Sequence, residues 1–95
     1  MKILAIENEV EGVDWNGLTD LLKDEARHVY SLYLSGSLRE IYFTEENNAI
    51  LVMEAEDKVA AMNLLDAMPL VKSGKIKFET MELRPYTGYD RIIEK

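Results

Sequence analysis

The chain is predicted to fold as a single α+β domain spanning residues 1–95, with two helices on one face of a four-stranded antiparallel sheet in the order βαββαβ, the ferredoxin-like arrangement. Three observations carry this. Two stretches with the three-and-four spacing of amphipathic helices are interleaved with four strand-like runs. The polar connection Glu45-Glu46-Asn47-Asn48 is short enough to join the runs on either side of it as an antiparallel hairpin. The run Asn48-Ala49-Ile50-Leu51-Val52-Met53-Glu54 is apolar at odd and even positions alike, and so is Lys2-Ile3-Leu4-Ala5-Ile6. A strand with one wet side alternates apolar with polar residues, so a run that does not alternate demands cover on both sides. Two helices cover only one face of such a sheet. The second face then calls for another copy of the chain, with two sheets stacked face to face in a homodimer or larger assembly.

Strand one covers residues 2 to 7, and the acidic segment Asn8 to Asn16, which contains Trp15, is a loop leading to a helix. From about Leu18 to Leu34, apolar residues recur at Leu18, Leu22, Ala26, Val29 and Tyr33, the stripe of a helix packed on a core. Gly36 follows, where a left-handed residue closes a helix without the penalty a side chain would incur. Strand two runs from Leu38 to Thr44 and strand three from Ala49 to Ala55. Asp57 is placed to accept hydrogen bonds from the free amides of a second helix, which carries Val59, Ala60, Ala61, Leu64, Leu65 and Met68 and is closed by Pro69. Strand four occupies residues 75 to 84 and is stopped by Pro85. Residues 86–95 form a tail whose Tyr89, Ile92 and Ile93 are out of place in water, so the tail is expected to dock on the partner subunit.

A chain of 95 residues buries only roughly 60 to 65 % of the surface its unfolded form exposes, so a solitary core is marginal and association would reinforce it. The formal charge of −7, from 18 acidic and 11 basic residues, disfavours nucleic acid and anionic lipid as partners. There is no cysteine, which removes disulfides, thiolate metal ligands and a cysteine nucleophile, and a reducing cytoplasm is the simplest home. The apolar start reaches Glu7, Glu9 and Glu11 too soon for a signal peptide or a membrane span.

Polar residues in apolar company mark the candidate site. On a helical wheel Glu25 falls inside the stripe of Leu18, Leu22 and Val29. A carboxylate there is paired, hydrogen-bonded or protonated; it is either half of a structural ion pair or a general acid or base whose proton affinity is raised by burial. His28, the only histidine, lies one turn on and is a second candidate, against the alternative of an inert residue at the helix margin. One histidine without cysteine makes a transition-metal site improbable, and no metal or other cofactor is expected. On strand two, strict alternation puts Arg39 with Ile41 and Phe43, and Leu38 with Glu40 and Tyr42. Arg39 would hold a ligand carboxylate or pair with Glu25. Tyr42 would donate a hydrogen bond to a ligand or serve as a core aromatic, and Glu54, on the side of Ile50 and Val52, is another carboxylate on a covered surface.

The segment Glu25-Ala-Arg-His-Val-Tyr-Ser-Leu-Tyr-Leu-Ser-Gly-Ser-Leu-Arg-Glu-Ile-Tyr-Phe, followed by Ala49-Ile-Leu-Val-Met-Glu, Met68-Pro-Leu-Val and Leu83-Arg-Pro-Tyr, resembles the muconolactone isomerase-like proteins of the dimeric α+β barrel superfamily. The resemblance implies a homodimer or larger assembly, a pocket between the first helix and the sheet, and, in some members, acid–base rearrangement of a small anionic lactone. The expectation is thus a cytoplasmic barrel binding a small anionic metabolite, with Glu25 or His28 moving a proton, Arg39 holding negative charge, and Tyr42 and Glu54 contacting the ligand. A non-catalytic binding or assembly module, or a cofactor-free monooxygenase, are the alternatives.

Overall fold

The computed structural model describes residues 1–93. Its elements are β1 (Lys2–Glu9), α1 (Thr19–Ser35), β2 (Leu38–Phe43), β3 (Ala49–Glu54), α2 (Lys58–Asp66), α3 (Pro69–Lys72) and β4 (Ile76–Leu83), followed by a 3₁₀ turn at Gly88–Arg91. The four strands form one sheet in the order β2-β3-β1-β4, with every neighbouring pair antiparallel. The predicted α+β, ferredoxin-like architecture is the one observed. The two runs that are apolar on both parities, β1 and β3, are the central strands, paired from Lys2↔Glu54 to Ile6↔Ile50.

One parity of those strands builds the core. Ile3 and Ala5 from β1 and Ala49, Leu51 and Met53 from β3 are buried beneath Leu32 of α1 and Ala61 and Leu65 of α2. Local chemistry sets the helix boundaries. Gly36 takes φ 85° and its amide donates to the Tyr33 carbonyl at 3.1 Å, closing α1 in the left-handed conformation. Asp57 Oδ1 accepts the Ala60 amide at 2.7 Å and so starts α2. Pro69 does more than close a helix. It occupies the first turn of α3, where the missing N–H costs nothing, so helical structure resumes beyond it.

Strand two departs from strict alternation. Leu38 pairs with Met53 and Glu40 with Val52, so two steps on β2 match one step on β3 and Arg39 is the extra residue of a bulge. The bulge inverts the faces expected beyond it: Leu38, Ile41 and Phe43 lie on the helix side, while Glu40 and Tyr42 lie on the other. Arg39 is therefore not grouped with Ile41 and Phe43; it stands exposed at the edge of the sheet.

The second sheet face has no cover within the subunit. It carries Leu4, Ile6, Ile50 and Val52 at its centre and Met81 and Leu83 on β4, an apolar surface contiguous across three strands. Residues 84–93 run away from the body, all but Gly88 exposed, and the molecule measures 61 Å along its longest axis against 27 and 20 Å. Within this arm Tyr86 and Tyr89 pack edge to face at 4.9 Å. The last two residues of the predicted tail, 94 and 95, lie outside the described residues. No helix among the described residues is long and apolar enough to cross a membrane.

Candidate functional site

α1 meets the core through Leu32 near its C-terminal end, whereas Leu22 near its start is 45 % exposed. Small side chains, Ala26 on α1 and Ala49 on β3, are among the residues between helix and sheet here. A cavity of about 560 Å³ remains between α1, α3 and the sheet, within the range of roughly 300–1,000 Å³ common to small-molecule sites. Its walls are mostly apolar: Val29 from α1, Ile41 and Phe43 from β2, Leu51 from β3, Leu70 from α3 and Phe78 from β4. Trp15 joins them from the loop between β1 and α1, and Tyr30 and Tyr33, both more than half exposed, stand on the solvent side. The loop that leads to α1 therefore supplies one wall.

Glu25 faces this cavity. Its Oε1 accepts the amide of Leu70 at 3.0 Å, the first amide α3 offers after Pro69, so the carboxylate ties α1 to α3. Burial raises its pKa above the usual carboxylate value, opposed by the Leu70 hydrogen bond and by nearby His28. The group is held by a hydrogen bond to backbone, and no basic side chain pairs with it among the described residues.

Glu7 is the residue that the sequence reading passed over. Glu7 stands at the end of the expected first strand and was not among the candidate site residues, but β1 continues through Glu9, and Glu7 pairs with Phe78 and lines the same cavity as Glu25. Its pKa is also raised, first by burial and then by the charges of Glu9 and Glu25, against the lowering effect of the Ala49 amide. A signal was present: within the expected strand Glu7 has the parity of Ile3 and Ala5, which puts it on the helix side.

Of the other nominated residues, only His28 lies close enough to act on Glu25. His28 is half-buried on α1 and is not among the residues lining the cavity. Arg39 sits on the exposed bulge, and its charge acts on Glu54, not on Glu25. Tyr42 lies on the open sheet face, 60 % exposed, where its hydroxyl donates to Glu40 Oε1 at 3.0 Å; that hydrogen bond raises its pKa. Glu54 is on the same open face, 2.9 Å from the Met1 amino group, a contact that lowers its pKa. Glu54 also borders an open hollow of about 530 Å³ with Lys2, Glu82 and Arg84, where the arm leaves the sheet. No group of three or more histidine, aspartate or glutamate side chains is arranged to hold a metal ion among the described residues.

Comparison with known proteins fixes the architecture. No protein-family model matches the chain, and no curated protein does so either. Among solved structures, muconolactone isomerase at 3.3 Å resolution superposes with a TM-score of 0.77 at 19 % identity over 92 % of this chain and 92 % of that one. A second similar structure is 5-chloro-2-hydroxyhydroquinone dehydrochlorinase from Burkholderia phenoliruptrix AC1100 in complex with 2,5-dihydroxybenzoquinone. It has a TM-score of 0.65 at 17 % identity and covers 93 % of this chain and 98 % of that one. At these identities the likeness establishes a shared ferredoxin-like α+β fold and nothing finer.

Proposed function

We propose that this chain forms a homodimer through its bare sheet face and that the cavity beneath α1 binds a small ring-sized metabolite on which Glu25 moves a proton. The observation that supports the chemistry is the position of Glu25: a carboxylate of raised proton affinity, oriented by the Leu70 amide, facing an apolar cavity. A group poised in this way accepts a proton from a carbon next to a carbonyl and, once protonated, returns it to another carbon of the same conjugated system. Such a step isomerises the ligand with no change in its composition and no cofactor. The fold shared with muconolactone isomerase agrees with this reaction class, and the quinone held by the dehydrochlorinase agrees with a ligand of one ring. A cytoplasmic site of action suits a chain with no cysteine.

The dimer reading rests on the continuous apolar surface of Leu4, Ile6, Ile50, Val52, Met81 and Leu83, which one subunit leaves open. Stacking two such sheets would bury it, and the projecting arm, with Tyr86, Tyr89, Ile92 and Ile93 exposed, would lie along the partner.

A purely structural role for Glu25 is the competing reading, because its hydrogen bond to Leu70 already joins two helices. Glu25→Gln separates the two, since the amide oxygen still accepts from Leu70 while the proton-carrying group is lost. In deuterated water the wild type should speed deuterium exchange into an unsaturated γ-lactone such as α-angelica lactone, followed by NMR. Glu25→Gln should reduce that acceleration by about 10²-fold or more while melting normally. Unchanged exchange in the variant would remove Glu25 from the chemistry.

A further inference from the structure

The cavity carries three carboxylates, Glu7, Glu9 and Glu25, and one carboxamide, Asn47, and no lysine, arginine or histidine lines it among the described residues. Arg39, the cation expected to hold ligand charge, stands on the outer bulge. We propose that the cavity selects a neutral, ring-bearing hydrogen-bond donor such as a phenol or enol and discriminates against carboxylates, the reverse of the anionic ligand that the sequence suggests. This rests on the proton-transfer reading of the same cavity and specifies what enters it.

The physical case has three parts. The buried Leu51 and half-buried Phe78 lower the local dielectric, which strengthens repulsion between an entering anion and the carboxylates. An anion entering there would also give up its water without gaining a cation, and neutral tyrosine hydroxyls and one carboxamide are weak compensation. A ligand hydroxyl, by contrast, donates to an ionised carboxylate in a charge-assisted hydrogen bond, roughly twice as strong as a neutral one. The charge of Glu25 already acts on Glu7, so adding a further negative group beside them is the least favourable occupancy.

The test compares two probes of the same ring and size, 4-hydroxybenzyl alcohol and 4-hydroxybenzoate, titrated into the full chain at pH 8. Trp15, the only tryptophan, reports occupancy of the cavity through its single indole N–H resonance. The alcohol should shift that resonance with at least tenfold higher affinity than the carboxylate. Glu7→Gln should narrow the gap by admitting the carboxylate, and Glu9→Gln serves if the first variant does not fold. Equal affinities, or tighter binding of 4-hydroxybenzoate by the wild type, would overturn the charge selection and leave the cavity reading standing. If neither probe moves the Trp15 signal, the cavity reading fails and this inference falls with it.

Discussion

The two faces of the sheet are built from the same strands, and their residues differ more in setting than in hydrophobicity. On the helix side Ile3, Ala5, Leu51 and Met53 are each 0 % exposed. Their sequence neighbours Leu4, Ile6, Ile50 and Val52 point the other way and keep part of their surface in water. The difference teaches that apolarity on the helix side is accounted for by the chain itself, whereas apolarity on the other side has no account within one subunit. The helix side also has the cavity that Glu7 and Glu25 face, lined in part by Ala26 and Ala49.

The sharpest way to break this comparison is to truncate matched residues on the two sides. Leu51→Ala removes a fully buried side chain and should cost about 3 kcal/mol of stability in urea denaturation. If Leu51→Ala is as mild as a surface change, the helix side is not the core that the burial pattern describes. A different variable should respond on the opposite face. Ile50→Lys puts a charge in the centre of the open surface, and it should weaken association by about 100-fold or more in native mass spectrometry while each subunit stays folded by circular dichroism. Unaltered stoichiometry in Ile50→Lys would place the contact between copies elsewhere.

The smallest expected effect is in pH dependence, and it belongs to the cavity. Glu7 and Glu25 have folded-state pKa values raised mainly by burial, so above the unfolded glutamate value of about 4.3 the folded state holds more protons than the unfolded one. The stability these groups confer is complete below that value and is lost as pH climbs through their raised folded values. Glu54 works in the opposite sense, its pairing with the Met1 amino group contributing above the unfolded pKa and fading on acidification. Glu25→Gln should flatten the decline seen on the alkaline side of pH 4.3 in melting curves. An unchanged slope would mean that the Glu25 carboxyl is not shifted by its surroundings.

Much of the fold was legible because periodicity and caps are local signals. The double-parity runs became the central strands, Gly36 and Asp57 mark the helix ends where they were expected, and the strand order follows from the predicted elements. The site was legible only in part. The helical wheel placed Glu25 against the core, but nothing in the alternation of β2 announces the extra residue at Arg39, and that residue inverts the side on which Tyr42 lies. Register is set by pairing with β3, a partner that no single strand's sequence encodes. Glu7 was missed for a different reason: it lies in the expected strand, but that a cavity opens beside it depends on how α1 and Phe78 of β4 pack around it, which the local pattern of β1 does not encode.

Sedimentation equilibrium of the wild-type chain at micromolar concentration tests the central claim most directly. Two copies should remain together because each hides the apolar sheet face of the other. A stable, fully folded monomer at that concentration would contradict the account, since Leu4, Ile6, Ile50 and Val52 would then face water in the native protein.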